Sequence, residues 1–125
     1  MRLLADTQIV YWFYHEPEKL SPRARGHLDG ADAVYVSAAS VWEIAIKVQL
    51  GKLKADPERL VERIESSGMR ELPVFSRHVA LVAHLPLLHT DPFDRLLIAQ
   101  AMIEPMHLLT LDKRMSQYSD LVIQV

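Results

Sequence analysis

The chain contains no cysteine, which removes disulfides, thiolate zinc sites and cysteine nucleophiles from consideration and is compatible with a reducing compartment. It also lacks an excess of positive charge, the formal net charge being −2 over 125 residues. Binding to nucleic acid through overall basicity is thereby excluded, and any phosphate contact has to be local. Long apolar runs are missing too: Asp6, Glu43 and Asp94 interrupt the most hydrophobic stretches, so no segment reads as a membrane span. The opening Met1-Arg2-Leu3-Leu4-Ala5-Asp6 places an acid where a secretory signal still needs apolar residues, and a cytoplasmic location is expected. Walker loops, GxGxxG turns and GxSxG elbows do not occur. The six histidines, His15, His27, His78, His84, His89 and His107, show no HExxH or other zinc spacing, and each reads as surface or satisfied core.

What remains is a globular composition, 50% hydrophobic and 24% charged, of a length that fits one domain over residues 1–125. Short apolar or β-branched runs at Leu3–Ala5, Val34–Val36, Leu72–Phe75, Leu108–Leu111 and Leu121–Ile123 suit strands buried on both faces. Between them, Ser21-Pro22, Asp56-Pro57 and Asp91-Pro92 each set a side-chain acceptor at N-cap and proline at N1, where its missing N–H costs nothing. Ser76 is the expected cap of a further helix, and another is expected over residues 38–50. Gly51, Gly30 and Gly68 are placed to end helices in the left-handed conformation. Strands alternating with helices imply βαβ units: an α/β fold of three α/β/α layers around a mostly parallel sheet of about five strands. In such sheets ligands bind beyond the carboxyl ends of the strands, near the switch in strand order.

The acids fall where that rule points. Asp6 follows the first strand directly and Asp112 follows Leu108–Leu111, so both belong at carboxyl tips of the sheet. Glu43 lies one turn into a helix among Val41, Trp42, Ile44, Ala45 and Ile46. An i,i+4 pair with Lys47 would account for it, yet a helix so widely apolar is covered, and a shared polar cavity suits its one acid better. Asp91 is accounted for as an N-cap, and Asp94 at N3 gains from the helix dipole. Together these carboxylates repel unless some take up protons or a cation joins them. An all-oxygen set selects hard ions, Mg²⁺ or Mn²⁺, which activate water for phosphodiester hydrolysis without a protein nucleophile. Lys47, Lys52, Lys54, Lys113 and Arg114 form clusters small enough to be solvated surface. The aromatic run Tyr11-Trp12-Phe13-Tyr14 favours core or dimer-interface packing over base stacking.

Leu4-Ala5-Asp6-Thr7, the stretch Val36 to Lys47 followed by Leu50-Gly51-Lys52-Leu53, Asp91-Pro92-Phe93-Asp94-Arg95 with Ile98-Ala99-Gln100-Ala101, and Thr110-Leu111-Asp112 resemble the successive motifs of PIN-domain VapC-type toxins, essentially end to end. That resemblance implies a Mg²⁺-dependent endoribonuclease, the toxin of a type II toxin–antitoxin pair. Such a toxin is dimeric and is inhibited by a cognate antitoxin inserted into the active-site groove. Carried over by position, the acidic quartet falls on Asp6, Glu43, Asp94 and Asp112, with Asp91 as a further metal ligand or a helix cap only. Many relatives read LLLDTH at the start, where this chain has Ala5 and Gln8; neither change removes an acid. Two alternatives are a phosphoacceptor receiver-like signalling domain and a catalytically silent PIN-fold binding protein. The first needs an adjacent acid pair after the first strand, where this chain has Asp6-Thr7, and the second is at odds with four retained acids.

Overall fold

The computed structural model describes residues 1–125. Five strands, β1 (Arg2–Ala5), β2 (Ala33–Ser37), β3 (Arg70–Leu72), β4 (His107–Thr110) and β5 (Val122–Gln124), form one sheet of order β3-β2-β1-β4-β5. Every neighbouring pair is parallel, so the sheet is wholly rather than mostly parallel. Six α-helices accompany it: α1 (Thr7–His15), α2 (Pro22–Gly30), α3 (Ala38–Gln49), α4 (Pro57–Ser66), α5 (Ser76–Val82) and α6 (Pro92–Ile103).

The period-2 alternation of strand side chains builds two cores. Leu3, Ala5 and Leu109 join Ile9, Val10, Ala24, Ile44, Leu60 and Ile64 from α1 to α4 on one face. Leu4 and Leu108 join Leu97, Ile98, Ala101 and Met115 on the other. Leu3, Leu4, Leu108 and Leu109 are fully buried, each worth roughly 1.5–3 kcal/mol in apolar burial. Central strands need hydrophobic residues at consecutive positions because both faces are covered, and this produces the three-layer arrangement.

Helix starts obey the expected chemistry. Ser21 accepts from the Ala24 N–H, Asp56 from Arg59, and Asp91 from Phe93 and Asp94. Several expectations are corrected. Phe75, not Ser76, holds the N-cap position of α5, because the His78 imidazole at N3 reaches back, its Nδ1 accepting from the Phe75 N–H at 3.0 Å, as Glu or Gln does in a capping box. The third strand ends at Leu72 instead of running to Phe75: β2 ends at Ser37, which pairs with Leu72, and Pro73 has no N–H to extend a ladder. Gly30 is the last residue of α2 without a positive φ, since Ala31 is extended and leads straight into β2, whereas Gly51 and Gly68 do take φ of 74° and 87°. The aromatic run lies inside α1, a helix that the strand-tip reading of Asp6 conceals. Tyr11 and Tyr14 are buried there, and Trp12 and Phe13 pack against the same core.

The connections through β2 and β3 lead to one side of β1, and β4 and β5 lie on the other. The switch in strand order therefore falls between β1 and β4, and a crevice opens beyond their carboxyl ends.

Candidate active site

Asp6 ends β1 and caps α1. Its N–H donates to the Leu109 carbonyl at 3.0 Å, extending the β1–β4 ladder by one residue. Its Oδ1 accepts from the Ile9 N–H at 2.9 Å, and its Oδ2 accepts from the Thr110 hydroxyl. Thr110 Oγ1 also accepts from the Asp112 N–H at 3.0 Å. One buried hydroxyl thus couples the two strand tips. Thr7, next to Asp6, donates to Ser40 Oγ at 3.0 Å and fixes α1 against α3.

The five acids singled out by sequence, Asp6, Glu43, Asp91, Asp94 and Asp112, all line one open cavity of about 390 Å³, together with Thr7, Gln8, Lys47 and Arg114. Two of the basic residues read as solvated surface keep that exposure and also line the cavity, where each meets an acid. Lys47 Nζ lies 2.9 Å from Glu43 Oε2. Arg114 grips Asp112 in two-point fashion, Nε to Oδ1 at 3.1 Å and Nη2 to Oδ2 at 2.8 Å. Both accounts of Glu43 hold at once: it makes the i,i+4 pair, and it is buried in the cavity wall with Oε1 lacking any partner. An unmet buried carboxylate oxygen is costly.

The electrostatics divide the acids. Burial pushes the Asp6 carboxyl up to about 6, the Thr110 and Ile9 hydrogen bonds opposing and the charges of Asp94 and Glu43 assisting. Asp94 is likewise pushed up to about 6, first by burial and next by Asp91, against a hydrogen bond from His89. Asp112 goes the other way, the Arg114 guanidinium holding it below the usual carboxylate range. Asp91 spends Oδ1 on the Phe93 and Asp94 N–H groups, at 2.8 and 3.2 Å, so its capping role is real and Oδ2 faces other uses.

Sequence reasoning missed His89. It is 5% exposed, with Nε2 2.8 Å from Asp94 Oδ2 and 3.4 Å from Asp112 Oδ2. Donor atoms of His89, Asp94 and Asp112 all lie within 4.8 Å of one another, a group able to hold a metal ion. The only available signal was its place two residues ahead of Asp91-Pro92, which no ligand spacing marks. Oxygen-rich donors, an unpartnered Glu43 oxygen and two carboxyls driven up by burial and by neighbouring carboxylates fit a divalent cation, which would relieve all three.

A parallel sheet with carboxylates converging past its switch point defines the molecule as an α/β domain with an acidic crevice. The model of the PIN domain family matches residues 3–121, and the chain belongs to that family. It is 30% identical over 122 residues to Ribonuclease VapC22 of Mycobacterium tuberculosis, covering 93% of this chain and 91% of that one. FitAcB from Neisseria gonorrhoeae has the same fold, with a TM-score of 0.65 at 21% identity, covering 98% of this chain and 96% of that one. So does VapBC2 from Rickettsia felis bound to a promoter DNA fragment, with a TM-score of 0.67 at 16% identity, covering 100% and 98%.

Proposed function

We propose that this chain, a single PIN domain over residues 1–125, is a Mg²⁺- or Mn²⁺-dependent endoribonuclease and the toxin of a type II toxin–antitoxin pair. The carrying observation is the gathering of five carboxylates around one open cavity, two of them pushed up to about 6. The name of the M. tuberculosis relative supports RNA as substrate. Structural neighbours that are toxin–antitoxin complexes support a cognate antitoxin as partner. A homodimer and a cytoplasmic location, where the RNA is, complete the reading; no helix is long and apolar enough to cross a membrane.

Asp6, Asp94, Asp112 and Glu43 would hold the ion, with Asp91 Oδ2 available as a further ligand. When bound, the ion supplies Lewis acidity and lowers the pKa of a coordinated water. The rest falls to the chain. Thr110 fixes the direction of the Asp6 carboxylate by donating to Oδ2. Glu43 Oε1, with no donor of its own, is the oxygen that would face the ion, because Lys47 holds Oε2. Lys47 and Arg114 stand at the cavity, the only cations there, and meet the flanking phosphates of a strand that the chain's overall charge does not attract.

Purified, antitoxin-free protein should cleave RNA from a panel of tRNA, rRNA and mRNA in Mg²⁺ or Mn²⁺ and stop with EDTA. A panel left intact in both metals would refute the nuclease.

A further inference from the structure

Arg95, which follows Asp94 in the Asp91–Arg95 run, is 8% exposed, yet its guanidinium meets no carboxylate. Nη1 donates to the Pro86 carbonyl at 2.9 Å, the His89 carbonyl at 3.3 Å and the Tyr118 hydroxyl at 3.1 Å. Nη2 donates to the Val82 and Leu85 carbonyls at 3.1 and 3.4 Å. A buried cation held by neutral acceptors alone is expensive unless those acceptors are pre-oriented. Here four of them are carbonyls from the end of α5 and the loop that follows it, so the guanidinium gathers that loop around itself. Tyr118 completes the grip: its hydroxyl accepts from the N–H groups of Leu88 and His89, at 3.1 and 2.8 Å. His89 is therefore held at both its N–H and its carbonyl.

The held backbone delivers the imidazole between two acids. Nε2 faces Asp94 Oδ2 at 2.8 Å and Asp112 Oδ2 at 3.4 Å, and Nδ1 is buried without a partner. A carboxylate oxygen accepts, so the nitrogen facing it, Nε2, is the one that donates, and its partner is Asp94 Oδ2. Asp94 leaves the first turn of α6 and Asp112 follows β4, so the imidazole bridges a helix start and a strand tip.

We infer that His89 is a positioning residue, an Nε2–H donor that sets the spacing of Asp94 and Asp112 for a divalent cation and is itself set by the Arg95–Tyr118 clamp. The inference rests on the metal-centre reading above. Partners of this kind, one bond removed from the ion, change metal affinity by about 10–100-fold when removed.

The test is calorimetric titration of the full chain with Mn²⁺ and with Zn²⁺, for the parent protein, His89→Ala and His89→Gln, with circular dichroism to confirm folding. Glutamine can place an N–H close to where Nε2 lies; alanine cannot. His89→Ala should bind Mn²⁺ about 10–100-fold more weakly, and His89→Gln should recover most of that loss without changing the preference between Mn²⁺ and Zn²⁺. Equal Mn²⁺ binding by His89→Ala and parent would overturn the positioning role. A selective collapse of Zn²⁺ binding in both variants would overturn it too, by making the imidazole nitrogen a direct ligand. If the parent bound neither ion, the metal centre itself would fail, an outcome distinct from either.

Discussion

Asp6 and Asp112 leave the carboxyl tips of adjacent parallel strands and share one hydroxyl, Thr110 Oγ1, yet their surroundings drive them in opposite directions. Asp6 is buried among neutral donors, and desolvation raises it to about 6. Asp112 sits nearer the rim, and Arg114 lowers it. Topology alone puts a carboxylate at each tip; burial and the nearest cation then decide whether it carries its charge at a cost or at a gain. A cation-binding crevice needs some of the first kind, because a carboxylate already satisfied by a guanidinium has less to gain from an ion.

Substitution should separate the two most sharply in activity and stability together. Asp6→Asn keeps an N-cap acceptor but removes the charge; RNA cleavage should fall by roughly 100-fold or more. The metal-free protein should meanwhile gain about 1–2 kcal/mol at neutral pH, or a few degrees in Tm, because the buried ionised carboxylate is gone. Asp112→Asn should also lose cleavage, but its metal-free Tm should stay level or drop, since it surrenders an ion pair worth at most about 1 kcal/mol against an exposed arginine. Thermal melts with EDTA, paired with cleavage rates, check both. A fall in Tm for Asp6→Asn matching that of Asp112→Asn would erase the distinction.

The pH profile sharpens the same contrast. Asp6 and Asp94, with folded values near 6 against an ordinary carboxylate value of 3.8, hold protons in the folded state that the unfolded chain has released. Their contribution to metal-free stability is full below about 4 and is lost as pH rises through about 6. Asp112, lowered in the folded state, contributes above its ordinary value and loses that contribution as pH falls. Mn²⁺ requires ionised ligands, so its affinity should climb between about pH 5 and 7. Affinity flat over that range would mean that Asp6 and Asp94 are already ionised at its lower end.

Smaller effects belong to the shared hydroxyl and the rim. Thr110→Val, close in shape, removes the donor to Asp6 and the acceptor for Asp112; a loss of about 1–2 kcal/mol in stability is expected from denaturant unfolding. Arg114→Gln should return the Asp112 carboxyl toward its ordinary value by NMR titration while changing stability by less than about 1 kcal/mol.

Much of this arrangement was legible in the sequence. Consecutive apolar residues at Leu3-Leu4 and Leu108-Leu109 announced strands covered on both faces, and the acid directly after each run announced the crevice. Proline at N1 marked α2, α4 and α6. Glu43 stood out because apolar residues crowd its helix, but the helix is less covered than that crowding suggests: Trp42 is 61% exposed, and only Ala39, Ser40, Glu43 and Ile44 are buried. His89 did not stand out, because its position depends on Arg95 reaching five acceptors across a loop that has no hydrophobic period. Side-chain-to-backbone bonding of this kind leaves no spacing to read. Helix α1 escaped for a related reason: Asp6 is both strand tip and cap, and one residue's two roles look like one.

Where an ion binds is the most direct test of the acidic crevice. Crystals of the antitoxin-free chain soaked in Mn²⁺ should give an anomalous peak in the crevice, within coordination distance of the Asp6 and Asp94 carboxylates, with Asp6→Asn crystals losing it. Peaks confined to other surfaces, or an unchanged peak in Asp6→Asn, would contradict the metal centre at the carboxyl edge of the sheet.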